Sequence, residues 1–131
     1  MKIQESAENY LETILVLSLD KPYVRSIDIA NELGFSKPSV SVAMKNLRNS
    51  GHIRVDENGH ITLAPPGKKI AEMIYERHRL LSQWLESLGV SKETASEDAC
   101  RIEHVISEKS FAAVQAHLEQ VTKMRKDAHG Q

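Results

Sequence analysis

The sequence has a single cysteine, Cys100, so no intramolecular disulfide framework holds the fold. Aromatic residues are 5% of the chain, which argues for a helical protein rather than a β-sandwich. Charge of one sign is also missing. The 17 basic and 18 acidic residues leave a net charge of −1, so an anionic partner must be met by a local patch. Long apolar runs are absent: Ile14 to Leu19 is interrupted by Ser18, and no window approaches the roughly 20 apolar residues of a membrane span. Glu5, Glu8 and Glu12 occupy the place where a secretory leader has its apolar core. With one thiol and no export signal, the expected compartment is the reducing cytoplasm. Catalytic signatures are missing too: there is no His-Glu-x-x-His pair, no phosphate-cradling glycine loop and no Gly-x-Ser-x-Gly elbow. The chain is not expected to be an enzyme.

What is present, over 131 residues, is a series of amphipathic segments with clear stops. Residues 5–19 have helical periodicity through Tyr10, Leu11, Ile14 and Leu15, and end before Pro22. A short extended piece, Tyr23-Val24-Arg25, leads to Ser26, an N-cap candidate for a helix over Ile27–Leu33 that Gly34 stops. Ser36 caps a third helix, with Pro38 in its first turn and Val40, Ala43, Met44 and Leu47 as its apolar stripe. Residues 52–55 and 60–63 alternate polar and apolar around Asn58-Gly59, which predicts a tight hairpin. Pro65-Pro66-Gly67 closes the hairpin. Three helices follow, over about Lys68–Leu88, from Ser91 to about Glu108, and over about Phe111–Val121. Residues 122–131 are expected to be a frayed, flexible tail.

The fold class is therefore mainly α with a small β-hairpin wing. Residues 1–64 form a winged helix-turn-helix, and residues 65–121 an all-helical unit. That second unit is too small to bury its apolar stripes alone, which suggests pairing with a second copy, a homodimer. In the first unit, Ala30, Gly34 and Val40 have the spacing of a tight two-helix corner: a small residue at the contact, a positive-φ residue at the bend, an apolar plug. From Ser36 to Arg54 there are four bases, Lys37, Lys45, Arg48 and Arg54, and no acid. Ser36, Ser39 and Ser41 add hydroxyls beside Pro38 at the start of the third helix, the end that enters a major groove. Double-stranded DNA is the expected partner. A winged helix that binds only protein is the alternative, and it predicts no salt-dependent duplex binding.

Cys100, Glu103 and His104 stand at i, i+3 and i+4, so a thiol, a carboxylate and an imidazole share one helix face. Such a set suits a transition metal, though the triplet alone also fits a small buried cysteine beside a surface acid and imidazole. His78 lies among Ile74, Leu81 and Leu85, where a satisfied core histidine is the plain alternative. Asn9 and Glu12 share a face of the first helix, where solvated polar residues are equally ordinary. Only co-location would unite these groups into a site.

Several runs carry a family likeness: Ala7-Glu8-Asn9-Tyr10-Leu11-Glu12-Thr13-Ile14, Ile29-Ala30-Asn31-Glu32-Leu33, Ser36-Lys37-Pro38-Ser39-Val40, Arg77-His78-Arg79-Leu80-Leu81 and Asp98-Ala99-Cys100-Arg101-Ile102-Glu103-His104-Val105. Over about residues 5–121 the chain resembles the diphtheria-toxin-repressor family of metal-dependent transcriptional regulators, which includes iron-dependent repressors and manganese transport regulators. The resemblance implies the short, two-domain type: a dimer in which divalent metal between winged helix and dimerisation domain switches on operator binding. It implies a primary site of Cys100, Glu103 and His104 with Asn9, and a neighbouring position using His78 and Glu12. Asn9 stands where methionine or aspartate is usual, a neutral and weaker ligand. Ser82 and Ser96 replace an acid and a histidine of the long branch's ancillary site. Cys100 matches the iron branch and Glu12 the manganese branch. A soft thiolate favours iron(II), cobalt, nickel or zinc over manganese(II); with availability in the cell counted as well, iron(II) is expected first, manganese(II) next, and zinc can bind. Two rivals remain at this stage: a winged-helix regulator not switched by metal, and a redox sensor using Cys100.

Overall fold

A computed structural model describes residues 5–129. The elements are α1 (Glu5–Asp20), α2 (Ser26–Leu33), α3 (Lys37–Asn49), β1 (Ile53–Val55), β2 (Ile61–Leu63), α4 (Pro65–Ser87), α5 (Lys92–Val105) and α6 (Glu108–His129). The chain divides into two compact units, one running through Tyr75 and the other starting at Glu76. Among the described residues, no helix is long and apolar enough to cross a membrane.

The first unit is a winged helix-turn-helix. Its core joins Leu11, Ile14 and Leu17 of α1 to Ile29 and Ala30 of α2, to Val40, Met44 and Leu47 of α3, and to Ile53 and Ile61 of the hairpin. The corner between α2 and α3 follows the sequence expectation. Gly34 takes φ +69°, and its N–H, like that of Phe35, donates to the Ala30 carbonyl. Ala30 and Val40 are buried at the crossing. The start of α2 differs. Ser26 is the first helical residue, and Arg25 is the cap position. The Asp28 carboxylate reaches back to accept from the Arg25 N–H at 2.9 Å and from Lys21 Nζ at 3.1 Å, so the third residue of the helix, not a Ser26 hydroxyl, fixes its start.

The wing pairs Ile53 with Leu63 and Val55 with Ile61 in antiparallel register. The Val24 carbonyl accepts from the Ile61 N–H at 2.7 Å, tying the segment before α2 to β2. The expected tight Asn-Gly turn is not what forms. Such a turn needs positive φ at both residues, and only Gly59 has it, at +78°. Instead Asp56 organises a longer loop. Its N–H donates to the His60 carbonyl, its carbonyl accepts from Gly59, and its Oδ1 accepts from the Asn58 and His60 N–H groups. Asp56 thus selects a three-residue loop with glycine in the left-handed position.

Pro65, Pro66 and Gly67 do not merely close the hairpin; they are the first turn of α4, where missing N–H donors cost nothing. Gly67 is buried beneath the backbone of His52, and a Cβ there would collide with the His52 carbonyl oxygen. That oxygen already accepts from the Ala64 N–H, so the wing and α4 are locked at close range. Gly67→Ala should therefore lower stability by about 1–3 kcal/mol, the usual cost of overpacking, read as a lower melting temperature of the whole chain. An unchanged melting temperature would mean that the two segments move apart freely.

The second unit is all helical. Gly89, at φ +97°, ends α4, and the Ser91 hydroxyl caps α5 by accepting from the Thr94 N–H. α5 stops at Val105 rather than Glu108, because Ile106 is extended and the Ser107 hydroxyl caps a new helix through the Ser110 N–H. α6 begins at Glu108 and runs to His129, where a frayed tail was expected from residue 122. Thr122 to His129 contain no glycine or proline, and Lys123, Met124, Arg125, Lys126 and Ala128 are good helix formers. Residues 130–131 of that expected tail lie outside the described residues.

Candidate metal centre

Packing of α5 against the second half of α4 brings His78 to the Cys100 face. His78 Nδ1 lies 2.9 Å from Glu103 Oε2 and 3.7 Å from Cys100 Sγ. One donor atom from each of His78, Cys100 and Glu103 falls within 4.8 Å of the others. Burial differs sharply among them. Glu103 is fully buried, the His78 side chain is 24% exposed, and Cys100 is exposed. Cys100 is exposed and Glu103 buried, the reverse of a buried cysteine beside a surface acid, while His78 is half-buried and hydrogen-bonded to Glu103.

Glu103 is the unusual member, since a fully buried carboxylate needs compensation. Oε2 has it from His78, but Oε1 has no hydrogen-bond partner, although His104 Nε2 lies 3.4 Å away. A buried carboxylate oxygen without a donor, beside a thiol and two imidazoles, fits a divalent transition cation. Cys100 and Glu103, chiefly through their hydrogen bonds to the ring, raise the His78 pKa to about 10 against the lowering effect of burial.

Arg77 holds this arrangement in place, a role the sequence reading did not assign. It is 8% exposed, and its Nη1 donates to the carbonyls of Glu103 and Ile106, each at 3.1 Å. Its guanidinium lies 5.5 Å from the centre of the Phe111 ring. The last carbonyls of α5 and the start of α6 are thereby tied to α4, one residue before His78. The signal was available: Arg77 sits on the apolar stripe of its helix, three residues after Ile74 and four before Leu81, where a base has no ordinary reason to be. The remaining proposed metal-site residues, half-buried Asn9 and buried Glu12, share one face of α1 in the N-terminal unit.

The residues expected to meet nucleic acid lie elsewhere in that first unit. Ser36, Lys37, Pro38, Ser39, Ser41, Lys45, Arg48 and Arg54 are all exposed. Ser36 caps α3 by accepting from the Ser39 N–H, and its hydroxyl also donates to Ser39 Oγ at 2.8 Å. Arg54 stands on the solvent side of β1 between buried Ile53 and half-buried Val55.

Comparison with known proteins bears on both units. The model of the iron dependent repressor N-terminal DNA binding domain matches residues 2–61. That of the iron dependent repressor metal binding and dimerisation domain matches residues 64–131. The chain belongs to the iron-dependent repressor family. The family consists of metal-dependent transcriptional regulators, which are not enzymes. The transcriptional regulator MntR of Salmonella typhimurium is 34% identical over 117 residues, 89% of this chain and 74% of the relative. The HTH-type transcriptional regulator MntR of Lysinibacillus sphaericus is 34% identical over 122 residues, 93% of this chain and 87% of the relative. Among solved structures, a manganese-dependent transcriptional repressor in complex with manganese superposes with a TM-score of 0.79 at 28% identity, over 86% of this chain and 52% of that one. IdeR of T. acidophilum superposes with a TM-score of 0.76 at 26% identity, over 91% and 55%. The chain thus spans about half the length of these solved chains.

Proposed function

We propose that this chain is a cytoplasmic, homodimeric repressor that binds operator DNA when loaded with a divalent metal and so controls metal-ion homeostasis. The observation that carries this reading is the convergence of His78, Cys100 and Glu103 donor atoms within 4.8 Å, with one buried Glu103 oxygen lacking a hydrogen bond. His104 adds a neighbouring imidazole. Asn9 and Glu12 are proposed, from residue type and family likeness, as the contribution of α1. A divalent ion held by these donors would couple the state of the metal site to that of the DNA-binding unit.

The chain's own residues supply the rest. Arg77 anchors the end of α5, so Glu103 presents its carboxylate from a rigid helix. Lys37, Lys45, Arg48 and Arg54 offer cations to the phosphate backbone, and the start of α3 faces the base edges. A dimer positions two α3 helices, and half-sites one turn apart or a multiple of it select their spacing. Linkage requires operator DNA to tighten metal binding by the same factor as metal tightens DNA binding.

The proposed metal is iron(II) ahead of manganese(II), with zinc able to bind, because Cys100 adds a soft donor to an otherwise nitrogen and oxygen set. The relatives named for manganese favour the second choice, and a titration separates them. Metal-free protein is titrated anaerobically with iron(II), manganese(II) and zinc(II) while binding to its own promoter DNA is followed by fluorescence anisotropy. One metal at micromolar concentration should raise affinity tenfold or more, a coupling of about 1.4 kcal/mol or greater. Equal affinity in chelator and in every metal would refute the switch. The exposed Cys100 thiol favours one second reading, a redox sensor, which predicts that peroxide rather than metal alters DNA binding and that Cys100→Ala abolishes the response.

A further inference from the structure

We infer that Val42 reads the DNA sequence by taking a thymine methyl group in the major groove. The inference rests on the DNA-binding reading above and deepens it. Val42 is 60% exposed and, among the described residues, is the only large apolar side chain exposed on α3. The stripe that holds α3 in the core is Val40, Met44 and Leu47, all buried. Val42 stands two residues from Val40 and two from Met44, about 200° round the helix from each, so it faces away from the core. A β-branched residue there lowers helix propensity and gains no packing within its own unit. Isolated apolar residues on a protein surface are common, and it is the position of this one that gives it meaning.

The surroundings of Val42 are those of a groove-reading surface. Pro38 is one turn earlier on the same face, Lys45 three residues later, and Ser39 and Ser41 flank the strip; all are exposed. No acid occurs anywhere on α3. The first half of a recognition helix is the part that approaches base edges. There the hydroxyls and ammonium groups have hydrogen-bond partners on phosphates, guanine or adenine. Valine has no donor or acceptor and can gain only from apolar contact. The major groove offers one apolar group, the C5 methyl of thymine. Val42 and the ring of Pro38 together form a strip suited to it.

Thymine and uracil differ by that methyl alone, which gives a one-group test. A duplex is first selected from a randomised library with the full-length wild-type chain in the presence of iron(II) or manganese(II). Each thymine of the selected duplex is then replaced in turn by deoxyuridine, and binding is measured for wild type and Val42→Ala. One thymine per half-site should stand out, its replacement weakening wild-type binding about three- to fivefold, the value of one methyl removed from water. Val42→Ala should weaken binding to the unmodified duplex by a similar factor and be indifferent to deoxyuridine at that position. Deoxyuridine sensitivity that is equal in both proteins, or absent from both, overturns the role of Val42 while leaving DNA binding intact. If the wild-type chain selects no duplex with either metal, the DNA-binding reading falls and this one with it. Because Val42 is exposed, the variant is expected to melt within a degree or two of wild type, which separates lost recognition from lost folding.

Discussion

Glu103→Gln should leave a folded chain whose DNA binding needs about a hundredfold more metal, the scale on which a disturbed ligand shell weakens a site. The substitution keeps the volume of a fully buried side chain and removes only its charge. His78 keeps a hydrogen-bonding neighbour, but the buried oxygen that lacks a partner no longer belongs to a carboxylate. Isothermal titration with manganese(II), paired with anisotropy on promoter DNA, reads both effects. A variant that still responds at the wild-type metal concentration would remove Glu103 from the ligand set. The same variant has a signature in pH. With a pKa of about 10, His78 carries a proton in the metal-free protein across the physiological range. Coordination through its ring must release that proton, so wild-type affinity should fall about tenfold for each unit of pH lowered below 10. Stability of the metal-free protein runs the other way. The raised pKa lets the folded state bind more protons than the unfolded one between about 6.5 and 10, so this contribution is complete below pH 6.5 and is lost as pH rises through 10. Thermal melts from pH 6 to 10 should show that decline in wild type, and a weaker one in Glu103→Gln.

A triple change of Lys45, Arg48 and Arg54 to glutamine should cost about a hundredfold in DNA affinity at 0.15 M salt without altering metal binding in the absence of DNA. All three side chains are exposed, and none takes part in the core of the first unit. Each phosphate contact contributes about 0.9 to the slope of log affinity against log salt, so the slope should flatten by about 2.7. Arg54 is on β1, apart from the two α3 sites, so its effect should add to theirs, while Lys45 and Arg48 are neighbours one turn apart on α3 and are read as a pair. A slope unchanged by the triple substitution would mean that this basic surface solvates the protein and that DNA is met elsewhere. If metal affinity fell as well, the substitutions would have disturbed the fold rather than a contact surface.

How far the molecule was legible in its sequence depends on the range of the interaction involved. Ala30, Gly34 and Val40 act over ten residues, and the helix-turn-helix corner formed as their spacing predicts. The Cys100, Glu103 and His104 face follows from helix pitch alone. Legibility failed where a side chain acts on backbone that periodicity does not describe. Asp56 accepts two N–H groups and opens the hairpin into a three-residue loop, and Asp28, not Ser26, fixes the start of α2 by accepting from the Arg25 N–H. α4 begins three residues early because Gly67 lets the His52 carbonyl approach, a contact across 15 positions that no local pattern records.

By itself, then, the sequence determined the residue types of the site, the helices that carry them, the acid-free basic character of α3 and the absence of catalytic signatures, because each depends on neighbours within a few turns of chain. Only the tertiary structure decided which of those groups meet. His78 is 22 residues from Cys100 and 25 from Glu103, and Arg77 is 26 and 29 from the two carbonyls it holds. Their convergence and the full burial of Glu103 come from how helices pack, and packing depends on the shape of all the contacting side chains at once.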